Sequence, residues 1–232
     1  MKNETIFFQL FEHESFTYTY IIGDNKTKEA AIIDPVIETI ERDLKLLKEL
    51  ELKLIYVLDT HVHADHITAS DEIRKRTGAK TAISAIAGLD CADVLLEDGQ
   101  ELKLGNKILK SIATPGHTNS CMSFYFEGRI FTGDTLLIRG SGRTDFQQGS
   151  SEKLYQSVHQ KLFLLPNETL VYPAHDYSGF TSSTIGLEKK YNPRLGESKS
   201  MDDLKKIMSE LKLSYPKKIE QALPANLKCG KI

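Results

Sequence analysis

The sequence predicts an α/β protein in which two β-rich halves, each followed by helices, pack as face-to-face sheets inside an outer layer of helices. Three observations predict it. Strand-like patterns dominate residues 5–33 and return over 80–133. Apolar residues recur at helical spacing in 37–50, 69–77, 152–164, 183–191 and 201–213. Around residues 54–77 a strand, a loop and a helix follow one another directly, which places that loop at the carboxyl end of the strand.

Residues 5–11 and 16–22 alternate apolar and polar side chains and are rich in Phe, Tyr, Thr and Ile, as two half-buried strands joined by a turn at 12–15 would be. Gly23, Asp24 and Asn25 make the next turn, residues 30–33 a short buried strand, and Asp34-Pro35 stops it. Ile37, Ile40, Leu44, Leu47 and Leu50 then line one face of a helix, with Glu38, Glu41, Arg42, Asp43 and Lys48 on the other. Residues 54–58 read as a buried strand and about 69–77 as a helix. Strands are expected at 80–84, 107–113, 122–126 and 130–131, punctuated by Gly105, Gly116 and Gly128. Helices over 152–164 and 183–191 flank a short strand at 170–172, and 201–213 is the last helix, with Met201, Leu204, Ile207, Met208 and Leu211 as its buried stripe.

No Pro/Gly/Ser-rich linker, low-complexity stretch or internal repeat divides the 232 residues, so a single domain over 1–232 is expected, with a core at about 5–180 and a C-terminal extension at about 181–232. The formal net charge of -2 gives no general attraction to nucleic acid or to an anionic membrane. The longest apolar runs, such as 54–58, fall far short of the roughly 20 residues needed to span a bilayer. The N-terminus has neither the basic start nor the uninterrupted apolar core of a secretory signal, and the expected location is the cytoplasm. Cys91, Cys121 and Cys229 are odd in number and show no paired spacing. Small buried apolar residues or idle thiols are therefore expected, rather than a disulfide framework or a cysteine zinc site.

The strongest chemical signal is the run His61-Val62-His63-Ala64-Asp65-His66, directly after the apolar strand. Imidazole and carboxylate suit zinc, iron or manganese, and histidines two apart on an extended loop can face one centre, whereas a helix would turn them about 200° apart. Three later positions extend the set: His117 in Thr-Pro-Gly-His-Thr, Asp134 in Phe-Thr-Gly-Asp, and His175 in Tyr-Pro-Ala-His-Asp. Each ends a β-like segment beside Gly or Pro, the placement expected when separate strands hand side chains to one site. Together these segments hold five of the seven histidines; His13 and His159 remain ordinary.

The order His-x-His-x-Asp-His, Gly-His, Gly-Asp and a late His resembles the metallo-β-lactamase superfamily across nearly all of residues 5–180. That resemblance implies an αββα sandwich, with a short C-terminal helical tail, and a metal site along one edge of the sheets. More selective is the segment 135–149, which contains Gly142-Arg143-Thr144-Asp145-Phe146-Gln147-Gln148. With His175-Asp176-Tyr177, Asn192-Pro193-Arg194 and Leu223-Pro224-Ala225-Asn226, it resembles the persulfide dioxygenases, the branch similar to the ethylmalonic encephalopathy protein. The resemblance implies one Fe(II) per chain held by His61, His117 and Asp134, a facial set of two imidazoles and a carboxylate that leaves room for both O2 and a substrate atom. His63, Asp65, His66 and His175, ligands in dinuclear relatives, would then orient that set or hold a second metal. Glutathione persulfide would be oxidised with O2 to sulfite and glutathione, with Tyr177, Arg194 and Arg143 as substrate contacts and no catalytic role for Cys229.

Sequence alone leaves a rival enzyme open: a dinuclear hydroxyacylglutathione hydrolase, in which a bridging hydroxide attacks a thioester, because every ligand it needs is present. A sulfur-carrying module acting through Cys229 and a nuclease are weaker readings. The latter lacks a basic surface. A homodimer and a separate sulfurtransferase supplying the persulfide are compatible with the sequence, which decides neither.

Overall fold

The computed structural model describes residues 4–215 and 218–231. In chain order its elements are β1 (Thr5–Glu12), β2 (Thr17–Asp24), β3 (Glu29–Ile33), α1 (Ile40–Glu49), β4 (Lys53–Leu58), α2 (Ser70–Thr77), β5 (Lys80–Ser84), β6 (Val94–Leu96) and β7 (Glu101–Leu104). There follow β8 (Lys107–Ala113), β9 (Met122–Phe126), β10 (Arg129–Gly133), α3 (Ser151–Gln160), β11 (Leu170–Pro173), β12 (Ser183–Thr184), α4 (Ile185–Tyr191), α5 (Met201–Glu210) and α6 (Ile219–Asn226). The described residues divide into two compact units, one from 4–96, 101–109 and 218–231, the other from 97–100 and 110–215.

The first unit carries a mixed sheet in the spatial order β1-β2-β3-β4-β5-β6. Its first three strands run antiparallel, and β3 to β6 are parallel. β2 is buried along its whole length, so its Thr and Tyr residues serve the interior as well as its isoleucines. The core joins Ile21, Ile32 and Val57 of the sheet to Leu47 of α1 and Ile73 of α2. α1 is preceded by a 3-10 turn at Ile37–Thr39, and α2 stops at Gly78, whose φ of 76° closes the helix with a bond to Arg74 O.

The second unit carries the strands β12, β11, β10, β9 and β8 side by side, with β10 and β11 parallel and the other pairs antiparallel. Ile130 and Val171 of its sheet pack on Leu154 and Val158 of α3, Ile185 of α4 and Leu204 of α5. The register of β10 against β11 shifts between Phe131 and Gly133, an irregularity of the kind that re-aims a side chain at the end of a strand.

Most expected elements are present, with shifted ends. The helix expected over 152–164 ends at Gln160 and continues as a separate 3-10 turn, Leu162–Leu164. Residues 183–184 pair with β11 before α4 begins, and α5 stops at Glu210. β6 and β7 go beyond the strands the sequence predicts, and α6 belongs to the C-terminal helical tail without a periodic signal of its own. The two strands have three and four residues, too few for alternation to register, and α6 contains Pro224.

The reading of the cysteines is corrected. Cys91 and Cys229 form a disulfide, with Cα atoms 6.0 Å apart across a sequence separation of 138, and only Cys121 is a thiol. No spacing motif marks such a bond, because folding of the first unit alone brings the two residues within bonding distance.

Candidate metal centre

In the first unit the parallel pairing of β3 and β4 sets their carboxyl ends side by side, and Asp34 N donates to Leu58 O at 2.8 Å. Asp34 therefore lies beside Thr60. Its carboxylate accepts from Thr60 N (2.7 Å, Oδ1), from the Thr60 hydroxyl (2.9 Å, Oδ2) and from His63 Nε2 (3.0 Å, Oδ1). Thr60 Oγ1 also lies 3.0 Å from His61 Nδ1. Since the hydroxyl proton goes to Asp34, Oγ1 accepts the His61 Nδ1–H, and the chain Asp34–Thr60–His61 leaves Nε2 as the basic nitrogen of that ring.

His61, His63 and His66 are all buried on this irregular loop, with ring centroids 4.1 Å and 4.3 Å apart along the series. Burial alone would lower the His63 pKa; the Asp34 carboxylate, with Asp65 and Asp59 behind it, more than offsets that and lifts it to about 9. Asp59 is itself buried, which pushes its carboxyl up, and it accepts from Thr68 Oγ1 and Ser70 Oγ at 2.7 Å each. His66 Nδ1 lies 3.1 Å from Asp65 Oδ2 and 3.3 Å from Thr17 Oγ1. His63 Nδ1 and His66 Nε2 are buried without a hydrogen-bond partner, and ligand atoms of His63, Asp65 and His66 lie within 4.8 Å of one another.

The second unit brings together its three expected ligands. His117 follows the turn after β8, Asp134 directly follows β10 and His175 follows β11. His117 Nδ1–H donates to the Arg143 carbonyl at 2.7 Å, which turns Nε2 toward Asp134 Oδ2, 3.5 Å away. His175 Nε2 lies 3.7 Å from Asp134 Oδ1, a buried oxygen with no hydrogen-bond partner. Two glycines make this approach possible. A Cβ on Gly142 would stand 2.5 Å from Asp134 O and 2.8 Å from His117 Nδ1, and one on Gly116, 2.3 Å from the Leu154 Cα. Thr135 Oγ1 donates to Thr114 O at 2.9 Å, tying the strand end that carries Asp134 to the segment that leads into His117.

Unpartnered buried imidazole and carboxylate atoms, with no thiolate among them, fit a borderline-to-hard metal ion, which would satisfy them and remove the cost of leaving them bare. The substrate candidates are differently engaged. Tyr177 is 69% exposed and stacks on His175 at 6.0 Å between centroids. Arg143 grips Asp145 through Nε (2.6 Å) and Nη2 (2.8 Å) and donates to Ser214 O through Nη1. Arg194 donates to Ser141 O at 2.7 Å, and burial pushes its pKa below the ordinary arginine value. Asp34 and Asn226 lie outside the site the sequence predicts, because locally Asp34-Pro35 marks only the end of a strand and Asn226 only a C-terminal motif.

Two carboxylate-buttressed imidazole clusters at strand ends of an α/β chain define a metal-binding protein. Residues 14–175 match the family described as "Metallo-beta-lactamase superfamily", and the chain belongs to that superfamily and has its fold. It is 49% identical over 225 residues to "Persulfide dioxygenase ETHE1, mitochondrial" of Homo sapiens, covering 96% of this chain and 87% of that one. The crystal structure of ETHE1 from Myxococcus xanthus is similar with a TM-score of 0.94 at 51% identity, over 97% of this chain and 99% of the other. "Glyoxylase B2" of Dictyostelium discoideum is 30% identical over 262 residues, 95% of this chain and 89% of its own. No helix among the described residues is long and apolar enough to cross a membrane.

Proposed function

We infer that the chain is an iron-dependent persulfide dioxygenase that converts glutathione persulfide, O2 and water to glutathione and sulfite. The observation that carries this reading is identity of about half to persulfide dioxygenases over nearly the whole chain. His61, His117 and Asp134 are the proposed holders of one Fe(II), which when bound supplies activation of O2 beside the terminal sulfur of the substrate. Thr60 and the Arg143 carbonyl hold the two imidazoles with Nδ1 protonated, so Nε2 is the nitrogen each would offer the metal. Asp34 engages His63 Nε2 and leaves Nδ1 as the nitrogen this ring would offer a second metal.

His63, Asp65, His66 and His175 are the proposed supporting groups of that set or holders of a second metal, and His66 Nε2 is a buried nitrogen without a hydrogen-bond partner. The glutathione carboxylates fall to Arg194, whose planar fork suits them and for which no carboxylate partner stands among the described residues. Tyr177 adds an exposed hydroxyl, and Arg143 joins only by exchanging Asp145. The reading takes the whole chain as one domain acting in the cytoplasm, where glutathione is plentiful, with two copies associating and a separate sulfurtransferase delivering the persulfide.

Anaerobic purification, metal quantitation and an oxygen-electrode assay test it. One iron per chain with O2 consumed in proportion to glutathione persulfide supports the proposal. Two metals per chain with anaerobic hydrolysis of S-D-lactoylglutathione replaces it with the thioesterase, the reading that the close grouping of His63, Asp65 and His66 favours.

A further inference from the structure

The segment that ends the first unit is fastened to the histidine loop at several points. Asn226, 3% exposed, donates through Nδ2 to the carbonyls of His63 and His66 at 2.8 Å each, and its Oδ1 accepts from Thr68 N at 2.9 Å. One side chain thus uses both its donor hydrogens and its acceptor on the backbone of the loop that carries four candidate ligands. Three residues on, Cys229 O accepts from Asp71 N at 3.1 Å. Gly230, at φ +84°, lies so close that a Cβ there would stand 2.1 Å from Thr68 O. Cys229 also packs with Val62, Ile83 and Leu89 in a small apolar cluster, and Val62 separates His61 from His63.

The covalent anchor of this segment is the Cys91–Cys229 disulfide. Cys91 lies on the connection between β5 and β6, where its carbonyl accepts from Arg74 Nη1 at 2.8 Å. It is half-buried, whereas Cys229 is 4% exposed, so a small thiol reaches Cys91 first. No residue of this segment is among the proposed ligands or substrate contacts.

We propose that Asn226 is a positioning residue for the metal-ligand loop and that the Cys91–Cys229 disulfide holds it in place, so that thiols of the glutathione class control the loop through the disulfide. The proposal takes from the functional reading only that this loop delivers ligands. The exchange balances: a thiolate attacks Cys91 Sγ, the bond to Cys229 breaks, and Cys229 leaves as a thiolate and takes up a proton. A second thiol then attacks the mixed disulfide, releasing the Cys91 thiol and the oxidised dimer of the reductant. Two small thiols are oxidised and one disulfide is reduced. Opening a link across 138 residues removes a constraint on the chain and leaves the segment to the Asn226 bonds and the Gly230 contact, so local opening becomes more frequent.

Hydrogen–deuterium exchange on the full chain as isolated, in oxidised and in reduced glutathione, tests the proposal at the Thr68 amide that Asn226 protects. The expected result is exchange about tenfold faster in the reduced buffer, the factor that one net hydrogen bond is worth. Cys91→Ser is expected to exchange at the reduced rate in both buffers, and Asn226→Asp, which keeps the acceptor but loses both donors, to exchange faster even when oxidised. Iron release to a chelator is expected to quicken in step. Equal exchange in the two buffers, with mass spectrometry showing the disulfide opened, overturns the proposal, as does oxidised protein without the Cys91–Cys229 bond. A chain that binds no iron in either state while its exchange still responds sinks the functional reading and supports this one.

Discussion

Replacing Asp34 with Asn tests whether this buried carboxylate sets the tautomer of His61, a proposed metal ligand. In the native chain Oδ1 accepts from Thr60 N and His63 Nε2, while Oδ2 accepts the Thr60 hydroxyl proton. An amide keeps its oxygen for the first pair and must turn its NH2 toward Thr60 Oγ1. The hydroxyl proton is then driven toward His61 Nδ1, 3.0 Å away, and the proton of that imidazole moves to Nε2, the nitrogen a metal needs. Changes to such supporting partners cost about 10–100-fold in metal affinity. The variant also loses the His63 ion pair. Because the folded-state pKa of about 9 lies above the ordinary 6.5, the stabilisation from this pair is fully present below pH 6.5 and lost as the pH rises through 9. At about 1.4 kcal/mol per pK unit the shift is worth up to about 3 kcal/mol. Urea unfolding of metal-free protein on either side of that window, with chelator competition for the metal, measures both effects. An Asp34→Asn chain with native metal affinity and the native slope of stability against pH would refute the reasoning.

Three further outcomes are expected. Gly142→Ala places a methyl 2.5 Å from Asp134 O and 2.8 Å from His117 Nδ1, so thermal unfolding should show a loss of about 1–3 kcal/mol together with weaker metal binding in a titration. Glu188→Ala removes a buried carboxylate that accepts from Arg139 N, Ser183 Oγ and Asn192 Nδ2 and pairs with the Arg139 guanidinium. Denaturant unfolding should register a cost of about 3 kcal/mol, with Glu188→Gln losing less. Burial pushes the Cys121 thiol up to about 11, so an alkylating reagent at mildly alkaline pH should leave it unlabelled in native protein and label it once the chain is unfolded.

The candidate ligands stand out in the sequence because chemistry concentrates them: four donors in six consecutive residues, then His117, Asp134 and His175, each soon after a strand and near Gly or Pro. The strands and helices were legible where apolar residues recur over a run long enough to show a period, as in β1, β2 and α1. β6 and β7 are too short for that, and the Pro within α6 argues locally against the helix that tertiary packing of Ala222 and Ala225 supports. The Arg143 guanidinium shows the limit for polar residues: its type fits an anion, but its neighbour Asp145 already occupies the fork.

The chain's own order of residues determined the fold class, the family and the set of groups able to hold a metal, since each rests on local periodicity or on which side chains are present at all. Tertiary structure decided which of those groups support one another. Asp34 meets Thr60 and His63 because parallel strands align their ends, Asn226 reaches His63 across 163 positions, and Cys91 bonds Cys229 across 138. Hydrogen bonds and disulfides act over a few ångströms of space whatever the distance along the chain, and periods of two or 3.6 residues carry no record of them.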